Sequence, residues 1–223
     1  GSARNSPGPR HTGAGALPRG LTPVGWRAGF PGASRLLLPG VTIGERRATL
    51  CACQRGGASM QKVLVSRCLL GHLVRYDGGS HGPFDLLSRW HAQGRIVALC
   101  PEVAGGLPTP RPPADIPGGQ GGEVLDRLNR VFTVDGEDVS EAFLLGAEAA
   151  VELVRRHDIR MAVLKARSPS CGNLENYDGR FNGNRVAGEG VTAAALKRMG
   201  VLVFNEDELD RAAVCLAGLD AGG

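Results

Sequence analysis

The sequence predicts an α/β fold, a Rossmann-like, doubly wound and mostly parallel sheet with helices on both faces, behind a disordered N-terminal tail. From Met60 onward, four short apolar runs alternate with segments of helical periodicity. An apolar content of 42% is enough to build a sizeable core. Because strands that alternate with helices form parallel sheets, ligands are expected beyond the carboxyl ends of the strands.

The first 59 residues are interpreted as the disordered tail. They hold 12 Gly and 6 Pro, and eight Arg against a single acid, Glu45. Such a segment buries too little apolar surface to offset its ordering entropy. A targeting segment is the alternative, although Pro and Gly break the amphipathic helix of a transit peptide. We therefore expect a natural start at Met60, with residues 1–59 an Arg/Gly/Pro-rich tail outside the fold and residues 60–223 a single α/β domain.

The charge is distributed unevenly and bears on possible partners. Residues 1–59 carry a net charge of +7, so the remainder carries −3. An acidic balance is not the basic surface that binds nucleic acid, and nucleic acid is not expected as a partner. No run reaches the roughly 18 to 20 apolar residues that span a bilayer, so no membrane partner is expected either. We expect a cytoplasmic monomer or weak homo-oligomer.

The strands are predicted from short apolar runs bounded by turn or helix signals. They are residues 61–68 (QKVLVSRC), 95–100 (RIVALC), 161–166 (MAVLKA) and 201–204 (VLVF). The Pro/Gly-rich stretch from 103 to 122 is predicted as a loop. Asp135-Gly136 is a turn signal for a small hairpin.

The helices are predicted from apolar residues at three- and four-residue spacing and from their end signals. Ser140 and Asn205 are each expected to cap the helix that follows. The predicted helices are residues 83–94, 140–159, 190–200 and 205–219.

Three cysteines follow three of the predicted strands. Cys68 closes the first, Cys100 closes the second, and Cys171 comes shortly after the third. Because parallel strands end at one edge of the sheet, the three thiols are expected to converge. A disulfide framework is disfavoured, since there is no secretory signal and the spacings are long. The other cysteines are Cys51 and Cys53 in the tail, and Cys215, which is expected to pack in the core.

Several kinds of site can use three thiols. A structural zinc site requires four protein ligands, usually from closely spaced C-x-x-C pairs, and this sequence contains no such pair. A four-iron cluster normally takes four thiolates, and with three it keeps one iron open as a Lewis acid. A soft iron site suits a sulfur-bearing substrate. A cysteine nucleophile needs only one thiol and leaves two unexplained.

Candidate catalytic groups sit beside the cysteines. Glu102, two residues after Cys100, is a candidate for moving protons. Ser168 and Ser170, just ahead of Cys171, are candidates for binding substrate or positioning water, although both also suit a turn. Gly172 is expected to leave room beside the site.

Candidate substrate-binding groups lie in two further loops. Arg75, Tyr76 and Asp77 in VRYDGG, with Arg111 in TPRPP, offer polar groups to an anionic or planar ligand. A surface turn is the simpler reading of Asp77. The remaining candidates, the loop histidines His72 and His81, are not expected to be ligands.

Five segments of the chain together resemble the bacterial thiouracil desulfurase (TudS-like) family, formerly catalogued as a domain of unknown function. They are VSRCLLGHLVRYDGG, CPEVAGGLPTPRPPADI, KARSPSCG, YDGRFNG and GEGVTAAALKRMGVLVFNEDEL, and they cover about residues 60–212. The resemblance implies a [4Fe-4S] cluster bound by three cysteines with one open iron, and these carry over to Cys68, Cys100 and Cys171.

The resemblance also implies the reaction. Non-redox desulfuration of a thiolated uracil (2- or 4-thiouracil or its nucleoside) gives uracil and sulfide, with the substrate sulfur on the open iron. Glu102 and Ser168, and less directly Ser170, carry over as groups that handle protons or water. Arg67 stands where the family has a small residue, which leaves open whether it narrows or charges the pocket.

The sequence leaves two other functions open. The first is a transfer-RNA thiouridine-modifying or -desulfurating enzyme, which the acidic folded part disfavours. The second is a non-enzymatic cluster- or metal-binding regulator, for which the sequence supplies no DNA-binding element. A small thiolated pyrimidine is the expected partner.

Overall fold

The computed structural model describes residues 60–222, so the predicted tail, with Cys51 and Cys53, lies outside the described residues. The strands in chain order are β1 (Val63–Ser66), β2 (Ile96–Leu99), β3 (Ala114–Asp115), β4 (Phe132–Thr133), β5 (Met161–Leu164), β6 (Glu175–Tyr177), β7 (Arg185–Ala187) and β8 (Leu202–Asn205). The α-helices are α1 (Asp85–Ala92), α2 (Pro101–Ala104), α3 (Gly121–Leu125), α4 (Ser140–His157), α5 (Val191–Arg198) and α6 (Leu209–Ala221).

The four predicted strands form one parallel sheet in the order β2-β1-β5-β8. Val63 of β1 pairs with Ile96 on one side and with Met161 on the other. All four residues of β1 and of β5 are buried, whereas the edge strands β2 and β8 are partly exposed. Strands that are covered on both faces need continuous apolar runs, which explains the sequences VLV and MAVL at the centre.

Helices cover both faces of this sheet and confirm the predicted fold class. Val63 and Val65 point to one face, where they belong to the apolar cluster that includes Leu216 of α6. Leu64 points to the other face, where its cluster includes Ala150 of α4. The alternation along β1 follows from the two-residue period of a strand, and it supplies both cores from one short segment.

The segments predicted as irregular contain further structure. Strands β3 and β4 form an antiparallel pair, and β6 and β7 form another. A third apolar cluster, with Ile116, Val124 and Phe143 among its members, joins the β3 region to α3 and α4. Strands of two or three residues are too short to show a period, so the sequence pattern does not reveal them.

The prediction that Asn205 caps a helix start is confirmed, and the prediction of a hairpin at Asp135-Gly136 is confirmed in part. Asn205 caps the 3₁₀ turn that leads into α6, because its Oδ1 accepts a hydrogen bond from Asp207 N at 2.8 Å. The turn at Asp135-Gly136 forms, but the hairpin around it is limited to a bridge between Phe132 and Asp138.

The prediction that Ser140 caps α4 is wrong. Ser140 is the first residue of the helix and Val139 occupies the cap position. The Ser140 hydroxyl instead accepts a hydrogen bond from Val131 N at 2.9 Å and donates one to Asp138 at 2.6 Å. Its side chain therefore ties the helix start to the preceding turn.

None of the helices within residues 60–222 is both long and apolar enough to cross a membrane.

Candidate active site

Three cysteines lie at the carboxyl edge of the sheet, as the sequence predicts. Cys68 lies two residues beyond the end of β1, Cys100 directly follows β2, and Cys171 lies in the loop after β5. Because β1 is hydrogen-bonded to both β2 and β5, the three chain segments leave the sheet side by side. Cys215 packs against an apolar cluster from α6, also as predicted.

Short local structures hold Cys68 and Cys100. Cys68 lies in a 3₁₀ turn, and its carbonyl accepts hydrogen bonds from the backbone N–H groups of His81 at 3.0 Å and Gly82 at 3.2 Å. Cys100 occupies the N-cap position of α2, and its thiol lies 3.8 Å from the carbonyl oxygen of Val74. Loop 72–82 is therefore attached to both cysteines.

The loop that carries Cys171 is bound to the start of α5. The first N–H groups of that helix donate to loop carbonyls, with Thr192 N 2.8 Å from Ser170 O. A Cβ at Gly190 would collide with the backbone between Ser170 and Cys171, so only glycine permits this approach. Backbone contacts thus fix the position of Cys171.

Burial raises the pKa of all three thiols. It raises the pKa of Cys68 to about 11, and a charge on Cys100 adds to this rise, while Lys165 opposes it. The pKa values of Cys100 and Cys171 are also raised, in each case chiefly by burial. A protonated, buried thiol is a poor nucleophile, so a single reactive cysteine does not explain this arrangement.

Glu102 is held beside the cysteines by two other predicted residues. It lies in the first turn of α2, two residues after Cys100. Arg111 Nε donates to Glu102 Oε2 at 2.8 Å, and Arg111 Nη2 lies 2.8 Å from the same oxygen. The Ser168 hydroxyl donates to Glu102 Oε1 at 3.4 Å. The two oxygens of the carboxylate therefore face different partners.

Close packing of α2 against α4 sets the position of Glu102. A Cβ at Gly146 of α4 would collide with the backbone of Pro101, and one at Gly105 with the carbonyl of Ala142. The two glycines therefore let the helix that carries Glu102 lie directly on α4.

Arg111 is buried and fully engaged by the protein. Its Nη1 donates to the carbonyl of Pro108 at 3.0 Å and its Nη2 to that of Val74 at 3.2 Å. Its backbone N–H donates to Tyr76 O at 2.8 Å. The guanidinium thus joins two loop segments, at Pro108 and at Val74, to Glu102. Direct substrate binding by Arg111 stays a prediction.

The two candidate serines have different hydrogen-bond partners. The Ser168 hydroxyl faces Glu102 and accepts hydrogen bonds from the N–H groups of Ser170 and Cys171, each at 3.2 Å. The Ser170 hydroxyl is fully buried and pairs with the Thr192 hydroxyl at 3.0 Å. Ser168 is therefore placed at the site, whereas Ser170 joins the loop to α5.

Arg75, Tyr76 and Asp77 form the exposed side of the site. Arg75 donates to both carboxylate oxygens of Asp77 at 3.2 Å and lies 2.9 Å from Nδ1 of His81. The N–H of Gly79 binds Asp77 at 2.9 Å, and this bond is the main reason that the pKa of Asp77 is lowered. Asp77 thus has the turn role that the simpler reading gave it, and Tyr76 is exposed.

Two polar groups at the site were missed by the sequence analysis. Ser66, the last residue of β1, lies with its hydroxyl 3.5 Å from the sulfur of Cys171. Lys165 directly follows β5 and binds the buried Glu206, with Nζ 2.5 Å from Oε1. His81 lies 3.9 Å from the same carboxylate. The signal that could have revealed Ser66 and Lys165 is a polar residue that directly ends a buried apolar run.

The expectation that Gly172 leaves room beside the site is wrong. The space that a Cβ would occupy is filled by the side-chain oxygen of Asn176, and carbonyl oxygens of Ser168 and Glu175 lie close by. The residue must be glycine because the loop folds on itself there. Arg67 is partly exposed.

Three comparisons with known proteins bear on the family to which this chain belongs. A sequence model of the family described as 2-thiouracil desulfurase matches residues 63–208. The uncharacterized protein YbbK of Bacillus subtilis is 40% identical over 148 residues, which cover 66% of this chain and 97% of that protein.

A solved structure, the [4Fe-4S]-dependent thiouracil desulfidase TudS, is 49% identical to this chain and superposes with a TM-score of 0.65. The match covers 70% of this chain and 98% of that one. Residues 63–208, which the family model matches, include Cys68, Cys100 and Cys171 together with Glu102 and Ser168. The chain belongs to the 2-thiouracil desulfurase family.

Proposed function

We propose that this protein removes sulfur from a thiolated uracil, either 2- or 4-thiouracil or its nucleoside, and releases uracil and sulfide. A [4Fe-4S] cluster would be held by Cys68, Cys100 and Cys171. The observation that carries the proposal is the placement of three thiols at one sheet edge, those of Cys68 and Cys171 buried and that of Cys100 half-buried, beside the oriented carboxylate of Glu102.

The donor set fits a cluster better than a single ion. Within residues 60–222, no three His, Cys, Asp or Glu side chains are grouped closely enough to hold one metal ion. Ligands of a tetrahedral zinc lie about 2.3 Å from the same atom, so they must be neighbours. Thiolates that bind different irons of one cluster lie further apart. The three cysteines are also free, and iron would displace their protons.

The reaction exchanges one double bond for another without net electron transfer. The carbon–sulfur bond breaks, a carbon–oxygen bond forms from water, and both protons of that water end on the departing sulfur. When bound, the cluster supplies a Lewis-acidic iron that takes the substrate sulfur and stabilises the departing sulfide.

The protein supplies the acid–base chemistry through Glu102. Its Oε2 is fixed by Arg111, so Oε1 is the oxygen that accepts a proton from water and returns it to sulfur. The Ser168 hydroxyl donates to this oxygen at 3.4 Å and so orients it toward the reacting water. Arg111 acts through Glu102, and Ser170 acts through the loop.

The substrate would enter from the exposed side. Arg75 and Tyr76 lie there, and the arginine is close enough to the site to stabilise negative charge on Cys68. We propose that they bind the polar edge and the face of the pyrimidine ring, and that Asp77 orients Arg75 through its two hydrogen bonds. A small free base or nucleoside suits this acidic domain better than a polynucleotide.

The test is anaerobic reconstitution of the full chain with iron and sulfide. Both elements would be quantified, and sulfide release would then be measured from 2-thiouracil, from 4-thiouracil and from the nucleosides. We expect about four irons per chain and release that depends on them. Full activity without iron would contradict the proposal. Activity on intact thiolated RNA but not on the small substrates would replace it with the RNA-modifying alternative.

A further inference from the structure

Ser66 links two parts of the site that are distant in the sequence. It is the last residue of β1 and its side chain is almost completely buried. Its Oγ accepts a hydrogen bond from the backbone N–H of Lys165 at 3.0 Å. The same Oγ lies 3.5 Å from Sγ of Cys171. The proposed reaction gives this hydroxyl no role.

The direction of the hydrogen bond follows from the partners of the hydroxyl. A serine hydroxyl has one proton and two lone pairs. The N–H of Lys165 occupies a lone pair, because a backbone N–H can only donate. The proton of Ser66 is therefore free for an acceptor, and the sulfur of Cys171 is the acceptor within reach. A thiolate accepts more strongly than a neutral thiol, since hydrogen bonds to charged groups are the stronger ones.

The position of Ser66 is fixed from both sides. Its backbone pairs with Leu99 of β2, and Val65 before it pairs with Val163 of β5. The Cys171 loop is attached to α5 through the carbonyl of Ser170. Moving the hydroxyl away from the sulfur would therefore also break its hydrogen bond with the partly buried N–H of Lys165.

Ser66 differs in this respect from the other hydroxyls near Cys171. Ser168 is directed to Glu102, and Ser170 pairs with Thr192. Within the described part of the chain, Ser66 is the side chain that donates to a cysteine sulfur. An effect on the sulfur can therefore be separated from a general effect on the loop.

We infer that Ser66 is a positioning residue for the cluster-bound Cys171, whose thiolate sulfur accepts a hydrogen bond from the Ser66 hydroxyl. This inference rests on the proposed function, because it needs Cys171 to be a ligand. A hydrogen bond to a ligand sulfur withdraws charge from it and raises the reduction potential of the cluster. It also holds the side chain in the orientation that binds iron.

The experiment compares three variants of the reconstituted full chain. Ser66→Ala removes the donor, Ser66→Thr keeps a hydroxyl, and Thr192→Val removes a buried hydroxyl bond of the same loop without touching sulfur. The readouts are iron and sulfide content, the reduction potential, and the rate at which a chelator removes iron. We expect Ser66→Ala to lower the potential and to lose iron about 10- to 100-fold faster, while the other two resemble the wild type. A wild-type potential in Ser66→Ala, or an equal drop in Thr192→Val, would overturn the inference.

A measurement on the wild type guards against a Ser66→Ala chain that does not fold. The protein would be refolded and reconstituted in D2O, and its iron–thiolate vibrations compared with those in H2O. A frequency shift is expected because the bridging proton is exchanged, and Ser66→Thr should keep it. No shift in the wild type would overturn the inference. Retention of the cluster by Cys171→Ala would instead remove the ligand set of the proposed function, so the two failures are distinguishable.

Discussion

Arg111 binds Glu102 through two nitrogens, with Nε and Nη2 each 2.8 Å from Oε2 of the carboxylate. Both side chains are largely buried, at 5% and 16% exposure. The Nη2 of Arg111 also donates to Val74 O, the carbonyl that lies near the Cys100 thiol. The orientation of the carboxylate is therefore coupled to the loop beside a cysteine, and several predictions about activity depend on this pair.

Glu102→Gln should abolish most turnover while leaving the cluster in place. The amide cannot accept and return a proton, so we expect sulfide release to fall about 10²- to 10⁴-fold at unchanged iron content. Glu148→Gln, an exposed change on α4, is the matched control and should keep full activity. Loss of iron from the Glu102 variant would show that this residue is structural instead.

Arg111→Lys should separate charge from orientation. Lysine keeps the positive charge but not the planar fork, so Glu102 loses its fixed direction. We expect turnover to fall about 10- to 100-fold, a range typical of residues that orient a reacting group. Arg111→Met leaves the carboxylate without its partner and should also destabilise the protein by roughly 3 kcal/mol. Steady-state rates with thermal melts measure both effects, and an unchanged rate in either variant would contradict the positioning role.

Ser168→Ala and Ser170→Ala should give opposite phenotypes. The first removes the hydroxyl at Glu102 and should lower turnover more than the melting temperature. The second leaves the Thr192 hydroxyl without its partner and should cost about 1 to 2 kcal/mol of stability. Turnover at a temperature where both variants are folded distinguishes them. Equal losses of activity would place both serines in the chemistry.

The cysteines should divide into ligands and a core residue. Cys68→Ala, Cys100→Ala and Cys171→Ala should each prevent cluster assembly and abolish activity. Cys215→Ala is the control, because this side chain packs against the core and should leave cluster content unchanged. Iron and sulfide quantitation after anaerobic reconstitution tests all four. A full cluster in any of the first three variants would remove that residue from the ligand set.

Asp115 should make stability depend on pH. Burial raises the pKa of its carboxyl to about 6, and the charge of Asp178 adds to the rise. Because the folded pKa exceeds the unfolded value of about 4, its contribution to stability is complete below pH 4 and is lost as the pH rises through 6. Asp115→Asn should therefore stabilise the protein at pH 7 by about 1 to 2 kcal/mol, allowing for solvent screening.

Thermal melts of Asp115→Asn at pH 4 and pH 7 check this sign. The gain should be present at pH 7 and absent at pH 4. Asp135→Asn, in an exposed turn, should show no difference at either pH. An equal gain for Asp115→Asn at both pH values would mean that the effect does not come from ionisation.

The sequence by itself determined the parallel sheet and the residues that follow its strands. The apolar runs around Val65 and Val163 are continuous because these strands are buried on both faces, and such runs are visible without a structure. The convergence of the three cysteines could also be predicted, because each follows such a run and parallel strands end at one edge of the sheet. The two short antiparallel pairs, β3-β4 and β6-β7, could not be predicted from the sequence because their stabilising contacts come from other parts of the chain.

Only the tertiary structure decided which polar groups meet at that edge. Ser66 and Cys171 are 105 residues apart, and Glu102 and Ser168 are 66 apart. Local pattern carries no information about such pairs, because their distance depends on β1 lying between β2 and β5. The same packing separated Ser168 from Ser170, two residues apart in the sequence, by turning one hydroxyl to a carboxylate and the other to a helix. The sequence thus placed the thiols at the site, and the folded chain assigned their partners.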